Sequence, residues 1–246
     1  MTDMNNGSSE HSSSEQSNQP PQPGQSPQAT ANAAWSRLLA GNRRFCEGEA
    51  EHPWQDRETR ESLADGQHPD AAVLACSDSR VPPEIVFDQG LGDLFDVRTA
   101  GQMIDDAVLA SLEYAIEHLH VSLLVVLGHE GCGAVAAAAE QLDALIEQVT
   151  DEAADSLATV SAMDDLDERI TAADSIMLRT VGLSVWQARM ADLDTTEDYE
   201  RVHVAHVIED LVSRSEVIRE ALAAERLMIV GARYLLGSGK VEVLSF

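Results

Sequence analysis

The chain has 246 residues, with 16 Lys and Arg against 43 Asp and Glu, for a formal net charge of −27. That imbalance argues against nucleic acid and anionic membranes as partners, and no apolar stretch reaches transmembrane length. Lys240 is the only lysine, and so much carboxylate repels itself unless high ionic strength screens it, which points to a halophilic setting.

In chain order, residues 1–30 are rich in Ser, Gln, Asn and Pro and carry almost no large apolar side chains. Such a segment buries too little surface to offset its ordering entropy, so a disordered tail is expected there. It lacks the basic and apolar regions of a secretory signal. Residues 31–246 suit one α/β domain, and three cysteines do not make a disulfide framework, so a soluble cytoplasmic protein is expected. From Ala33 to Phe45, Trp35, Leu38, Leu39 and Phe45 mark one face of a helix that needs a partner.

Ala71-Ala72-Val73-Leu74-Ala75 reads as a buried strand of a parallel sheet and ends at Cys76. A second apolar run, Val121 to Leu127, ends at Gly128-His129-Glu130-Gly131-Cys132-Gly133, and an alanine-rich helix opens at Ala134. Residues at the carboxyl ends of neighbouring parallel strands converge, and open α/β sheets place their ligand sites there. Cys76, His129 and Cys132 would give a zinc ion two thiolates and one imidazole. That is one donor short of a closed tetrahedron, and catalytic zinc sites keep such a position open. Cys46 has no metal-like partner beside it in sequence. Asp78 and Arg80 follow Cys76 closely, and a guanidinium fork can hold a carboxylate ionised and oriented.

Asp151 to Asp174 is acidic and only sparsely apolar, so a helical insert and a loop both remain open. His203 and His206 stand one helical turn apart in Val202 to Leu211. Without an identifiable third ligand, they read as a half-buried helix face rather than a second metal site. The expected order is helix, strand, short helix, strand, helix, strand, a long helical region and closing strands.

Cys76-Ser77-Asp78-Ser79-Arg80-Val81-Pro82 with Gly128-His129-Glu130-Gly131-Cys132-Gly133-Ala134 resembles the β-class carbonic anhydrases, and the likeness runs from about Trp35 to Phe246. Asp93 to Gly101 resembles the family's strand and Arg-Asn-Ala-Gly turn, and Ser111 to Ala115 the helix before its histidine strand. Val230 to Tyr234 and Val241 to Leu244 resemble its closing strands. The resemblance implies a central, mostly parallel sheet flanked by helices, with N-terminal helices packing on a dimer partner. It implies one Zn2+ per chain, held by Cys76, His129 and Cys132, and reversible hydration of carbon dioxide to bicarbonate and a proton. Zinc would lower the pKa of a bound water, and an Asp78–Arg80 dyad would aim the resulting hydroxide.

Further expectations follow from the same resemblance. Gln67, Phe95, Ala100 and Tyr114 fall at substrate-binding positions, and a homodimer or dimer of dimers is implied. Val73 and Ala75 stand where members with a bicarbonate-closed state often carry Trp and Gly, so an open site is expected. Thr99 and Gln102 depart from the family's Arg-Asn-Ala-Gly-Asn, and Glu130 replaces a small polar residue and is expected to face solvent. Hydrolysis of carbonyl sulfide or carbon disulfide on the same scaffold is the nearest rival. A non-catalytic zinc-stabilised module is a further one, but it would have no use for Asp78 and Arg80.

Overall fold

The computed structural model describes residues 27–154 and 166–244. In chain order these residues form α1 (Pro27–Glu47), α2 (Arg57–Ser62), β1 (Ala71–Cys76), α3 (Pro83–Val86), β2 (Leu94–Thr99) and a 3-10 turn (Ala100–Gln102). Next come α4 (Asp106–Glu117), β3 (Leu123–His129), α5 (Gly133–Ala154), α6 (Leu166–Thr171) and a π turn (Leu178–Gly182). The chain closes with α7 (Leu183–Met190), α8 (Thr196–Arg214), α9 (Glu216–Ala223), β4 (Met228–Tyr234) and β5 (Val241–Val243). The expected order of elements is found. The first helix starts at Pro27, so residues 27–30 of the expected tail are helical, while residues 1–26 lie outside the described residues. Asp151 to Ala154 of the acidic stretch belong to α5 and Leu166 to Thr171 to α6, and residues 155–165 also lie outside the described residues.

The sheet runs β2-β1-β3-β4-β5, parallel except for β5. Every residue of β1 and β3 is buried, which explains why both read as unbroken apolar runs rather than alternating ones. Strand alternation sends Ala72, Leu74, Leu124 and Val126 towards a core with Leu112, Val204 and Leu211 of α4 and α8. Ala71, Val73, Ala75, Val125 and Leu127 pack on the other face with Leu38 of α1 and Val86 of α3. The chain visits β1, crosses to the edge at β2, and returns past β1 to β3. The crevice at the carboxyl ends of β1 and β3 is therefore the topological switch point, where sheets of this order bind ligands.

The apolar side of α1 is covered by this chain's own sheet. Ala31, Ala34 and Leu38 are buried there, and Trp35 meets Phe87 edge-on at 6.2 Å between centroids. Asn42 is buried and bonds to the carbonyls of Val86 and Gly239 and to the amide of Val241, tying α1 to the end of α3 and the start of β5. A Cβ on Gly41 would lie 1.8 Å from the Phe87 carbonyl oxygen, so the helix could not approach so closely with any other residue there. Helix starts follow from side-chain caps: Asp105 accepts from the Val108 amide before α4, and Thr195 with Asp198 closes a capping box before α8.

Asp96 breaks the pattern of edge strand β2. Both of its carboxylate oxygens are buried without a hydrogen-bond partner. Burial, and then the neighbouring Glu84 carboxylate, push its pKa up to about 8. An unfolded Asp ionises at about 3.9, so over the interval up to about 8 the folded chain holds a proton that the unfolded chain releases. Stability should therefore fall as pH rises through that window. Asp96→Val is expected to gain about 1–3 kcal/mol above the window, with little change at its acid end. Denaturant melts at several pH values check this, and a pH dependence unchanged by the substitution would contradict it.

Candidate metal centre

Cys76 closes β1 opposite Thr99 of β2, while His129 closes β3 opposite Tyr234 of β4. Cys132 follows in the short turn that opens α5. Its geometry depends on Gly131, which adopts φ 63°, a left-handed conformation that glycine takes without strain. The ligand atoms of Cys76, His129 and Cys132 all lie within 4.8 Å of one another, and all three residues are buried. No other such grouping occurs among the described residues, and none includes His203 and His206.

His129 makes this cluster fit to hold a metal. Its Nδ1 lies 2.9 Å from the Glu130 carbonyl, which can only accept, so Nδ1 carries the hydrogen and Nε2 presents a lone pair. That Nε2 is buried and has no hydrogen-bond partner. A buried acceptor left bare next to two thiols fits a cation in the space between them. Within the thiol pair, the hydrogen bond from Cys132 lowers the pKa of Cys76, and sharing that proton pushes Cys132 up. Thiolate is the form that binds metal, and the mix of sulfur and imidazole donors suits zinc.

Asp78 and Arg80 form a two-point pair beside the cluster. Arg80 donates through Nε to Oδ1 at 2.9 Å and through Nη2 to Oδ2 at 2.7 Å, and its backbone amide adds a third bond at 2.9 Å. Nη2 also reaches the Gly131 carbonyl at 3.2 Å, so one guanidinium spans both ligand loops. Those bonds hold the Asp78 carboxyl well below the usual carboxylate range. Its Oδ2 lies 4.0 Å from His129 Nε2.

Several supporting residues make contacts that the sequence did not show. Arg98 donates to the carbonyls of Cys76 at 3.0 Å and Asp78 at 2.7 Å, fixing the first ligand loop. Gly101 donates its amide to Cys76 Sγ at 3.3 Å from a φ of 62°, and a Cβ there would meet Ala134 at 2.8 Å. His203 holds that turn. Its Nε2 donates to the Gly101 carbonyl at 2.6 Å, while Nδ1 accepts from Ser184 at 2.9 Å. Burial pushes its pKa down to about 4, so it stays neutral. The expected half-buried face is thus corrected for His203: it is fully buried and positions the backbone next to Cys76. Glu130 is also tied in, its carboxylate accepting from the Gly237 amide at 3.3 Å.

Behind Cys132, buried Glu200 accepts from the Cys132 amide at 3.2 Å and from Arg233 Nε at 2.8 Å. Glu200→Ala would strand a buried guanidinium and free the ligand turn. Glu242 lies 3.5 Å from Arg233 Nη1 and softens the loss. A destabilisation of about 3 kcal/mol is expected in chemical denaturation, and one below about 1 kcal/mol would contradict this role.

The four residues expected to bind substrate are placed differently. Ala100 is exposed next to Gly101, level with the cluster. Gln67 is exposed before β1, at the strand end opposite Cys76. Phe95 pairs with Ala72 early in β2, and its ring lies 6.2 Å from that of Tyr114, which is half exposed. Within one chain, Gln67, Phe95 and Tyr114 therefore lie away from the metal ligands, along the β2 side of the sheet.

Residues 71–241 match the family model described as carbonic anhydrase. The chain is 43% identical over 219 residues to the carbonic anhydrase of Mycolicibacterium smegmatis, covering 89% of this chain and 96% of that protein. It is 41% identical over 214 residues to carbonic anhydrase 2 of Mycobacterium tuberculosis, covering 87% and 93%. Among solved structures, the β-carbonic anhydrase CcaA is similar with a TM-score of 0.57 at 25% identity, over 86% of this chain and 95% of that one. A β-carbonic anhydrase of the fungal pathogen Aspergillus fumigatus gives 0.57 at 27% identity, over 86% and 90%.

Proposed function

The chain belongs to the β-class carbonic anhydrase family, and from that membership we propose that it hydrates carbon dioxide reversibly to bicarbonate and a proton at a zinc ion held by Cys76, His129 and Cys132. The bare, buried Nε2 of His129 facing two thiols is the observation that carries the metal assignment. Zinc, when bound, supplies Lewis acidity that makes a ligated water acidic near neutral pH.

The chain's own groups do the rest. Asp78 Oδ2 accepts a hydrogen bond from the nucleophile and turns its lone pair towards the substrate carbon. Arg80 occupies both Asp78 oxygens, which keeps the carboxylate ionised and discourages it from swinging onto the metal. Val73 and Ala75 are packed into the core within the strand that ends at Cys76, which supports a site without a bicarbonate-closed state. Arg98, Gly101 and Glu200 fix the ligand loops, so little reorganisation is needed during turnover.

Carbon dioxide offers little to hydrogen-bond, so an apolar wall is required. In this proposal a second copy brings Gln67, Phe95 and Tyr114 to the site across the β2 side, as a homodimer or dimer of dimers. A cytoplasmic, high-salt setting completes it, and assays belong in molar salt. Chelation is expected to abolish carbon dioxide hydration, and one equivalent of zinc to restore it, as followed by stopped-flow pH change. Undiminished hydration in the metal-free protein would overturn the reading.

A further inference from the structure

A cavity of about 220 Å³ between the π turn and α8 is lined by none of the three metal ligands, and it shares Gln102 and His203 with the Gly101 turn. Three of its features point to an anion. The π turn Leu178–Gly182 places Arg179 on the wall, and such turns are frequent at functional sites. Arg179 bonds only backbone carbonyls, those of Ala173 at 3.2 Å and Asp174 at 3.0 Å, and makes no ion pair among the described residues. Its charge is therefore uncompensated, on a chain whose net charge is −27.

Arg214 also lines the cavity. Its Nη1 holds the Ile104 carbonyl and Asp210, and Asp210 is the cavity's one lining carboxylate. The third feature is His206, whose Nδ1 is buried with no hydrogen-bond partner although its ring lines the space. A buried polar atom without a partner calls for water, an ion or a ligand. Ile104 and Leu183 give the same cavity an apolar wall. A bare inorganic ion would leave that wall unfilled, whereas a carboxylate with a short hydrocarbon end would satisfy both. The volume is below that of pockets for drug-sized ligands, which limits the ligand to a small one.

We infer that this cavity binds a small organic carboxylate, its head group on Arg179 and its apolar end against Ile104 and Leu183. The site uses none of the metal ligands and does not depend on the reaction proposed there.

The probe is sodium butyrate, titrated calorimetrically into the zinc-loaded full chain, with 1-butanol as the uncharged control. Binding with a Kd of about 1 mM or tighter is expected, with none for butanol. Arg179→Gln should weaken it at least tenfold, and Leu183→Trp, which fills the cavity and leaves both arginines in the sequence, should do the same. Should the arginine variant fail to fold, the tryptophan variant decides. No butyrate heat up to about 10 mM would overturn the inference. So would binding that both variants leave intact and that zinc removal abolishes, because the anion would then sit at the metal centre.

Discussion

Cys132→Ala is expected to leave the protein without stoichiometric zinc and to lower carbon dioxide hydration to the uncatalysed rate. The substitution removes one of two thiolates from a set of three ligands, and structural zinc sites in small peptides draw about 10–16 kcal/mol from their full ligand sets. The fold should survive, because the bond to Glu200 is made by the Cys132 backbone amide rather than by its thiol. Cys46→Ala is the matching control. That thiol lies 3.8 Å from Asn42 Oδ1 and is no part of the cluster, so zinc content and rate should be unchanged. Metal analysis after dialysis with circular dichroism on the same samples checks both. Full zinc occupancy in Cys132→Ala would mean that another donor completes the site.

Asp78→Ala is expected to cost about 10²–10³-fold in hydration rate with zinc retained, in line with losing one positioned group from a preorganised polar site. The carboxylate is not part of the three-residue cluster that could share a metal, and Arg80 holds both of its oxygens. Its contribution is orientation, so the loss should appear in kcat more than in KM. Asp78→Asn should be nearly as damaging, because an amide nitrogen in place of Oδ2 donates where an acceptor is required. Retention of rate within about threefold, with zinc bound, would assign the pair to loop structure alone.

The strands and the ligand set were legible because each was written locally. The runs ending at Cys76 and His129 are apolar throughout because β1 and β3 are buried on both faces. The Cys-Ser-Asp-Ser-Arg segment encodes its ion pair within a few residues. What the sequence hid depends on long-range closure. Glu200 reaches the Cys132 amide across 68 positions, and His203 reaches the Gly101 carbonyl across 102. Their spacing, three apart on α8, put them on one helix face but gave no sign of what that face meets. Arg98 was visible within a familiar turn, yet its bonds to the Cys76 and Asp78 carbonyls required the register of β1 on β2. Gln67, Phe95 and Tyr114 illustrate a different limit. Spacing along one chain cannot tell whether a residue serves its own site or one in a second copy.

The most direct test is a crystal structure of the zinc-loaded protein at neutral pH, with anomalous data at the zinc edge. One ion per chain is expected between Cys76 Sγ, His129 Nε2 and Cys132 Sγ, with an exogenous oxygen in the fourth position and Asp78 still paired to Arg80. Zinc absent from this cluster, or a protein side chain closing the fourth position, would contradict an open catalytic centre.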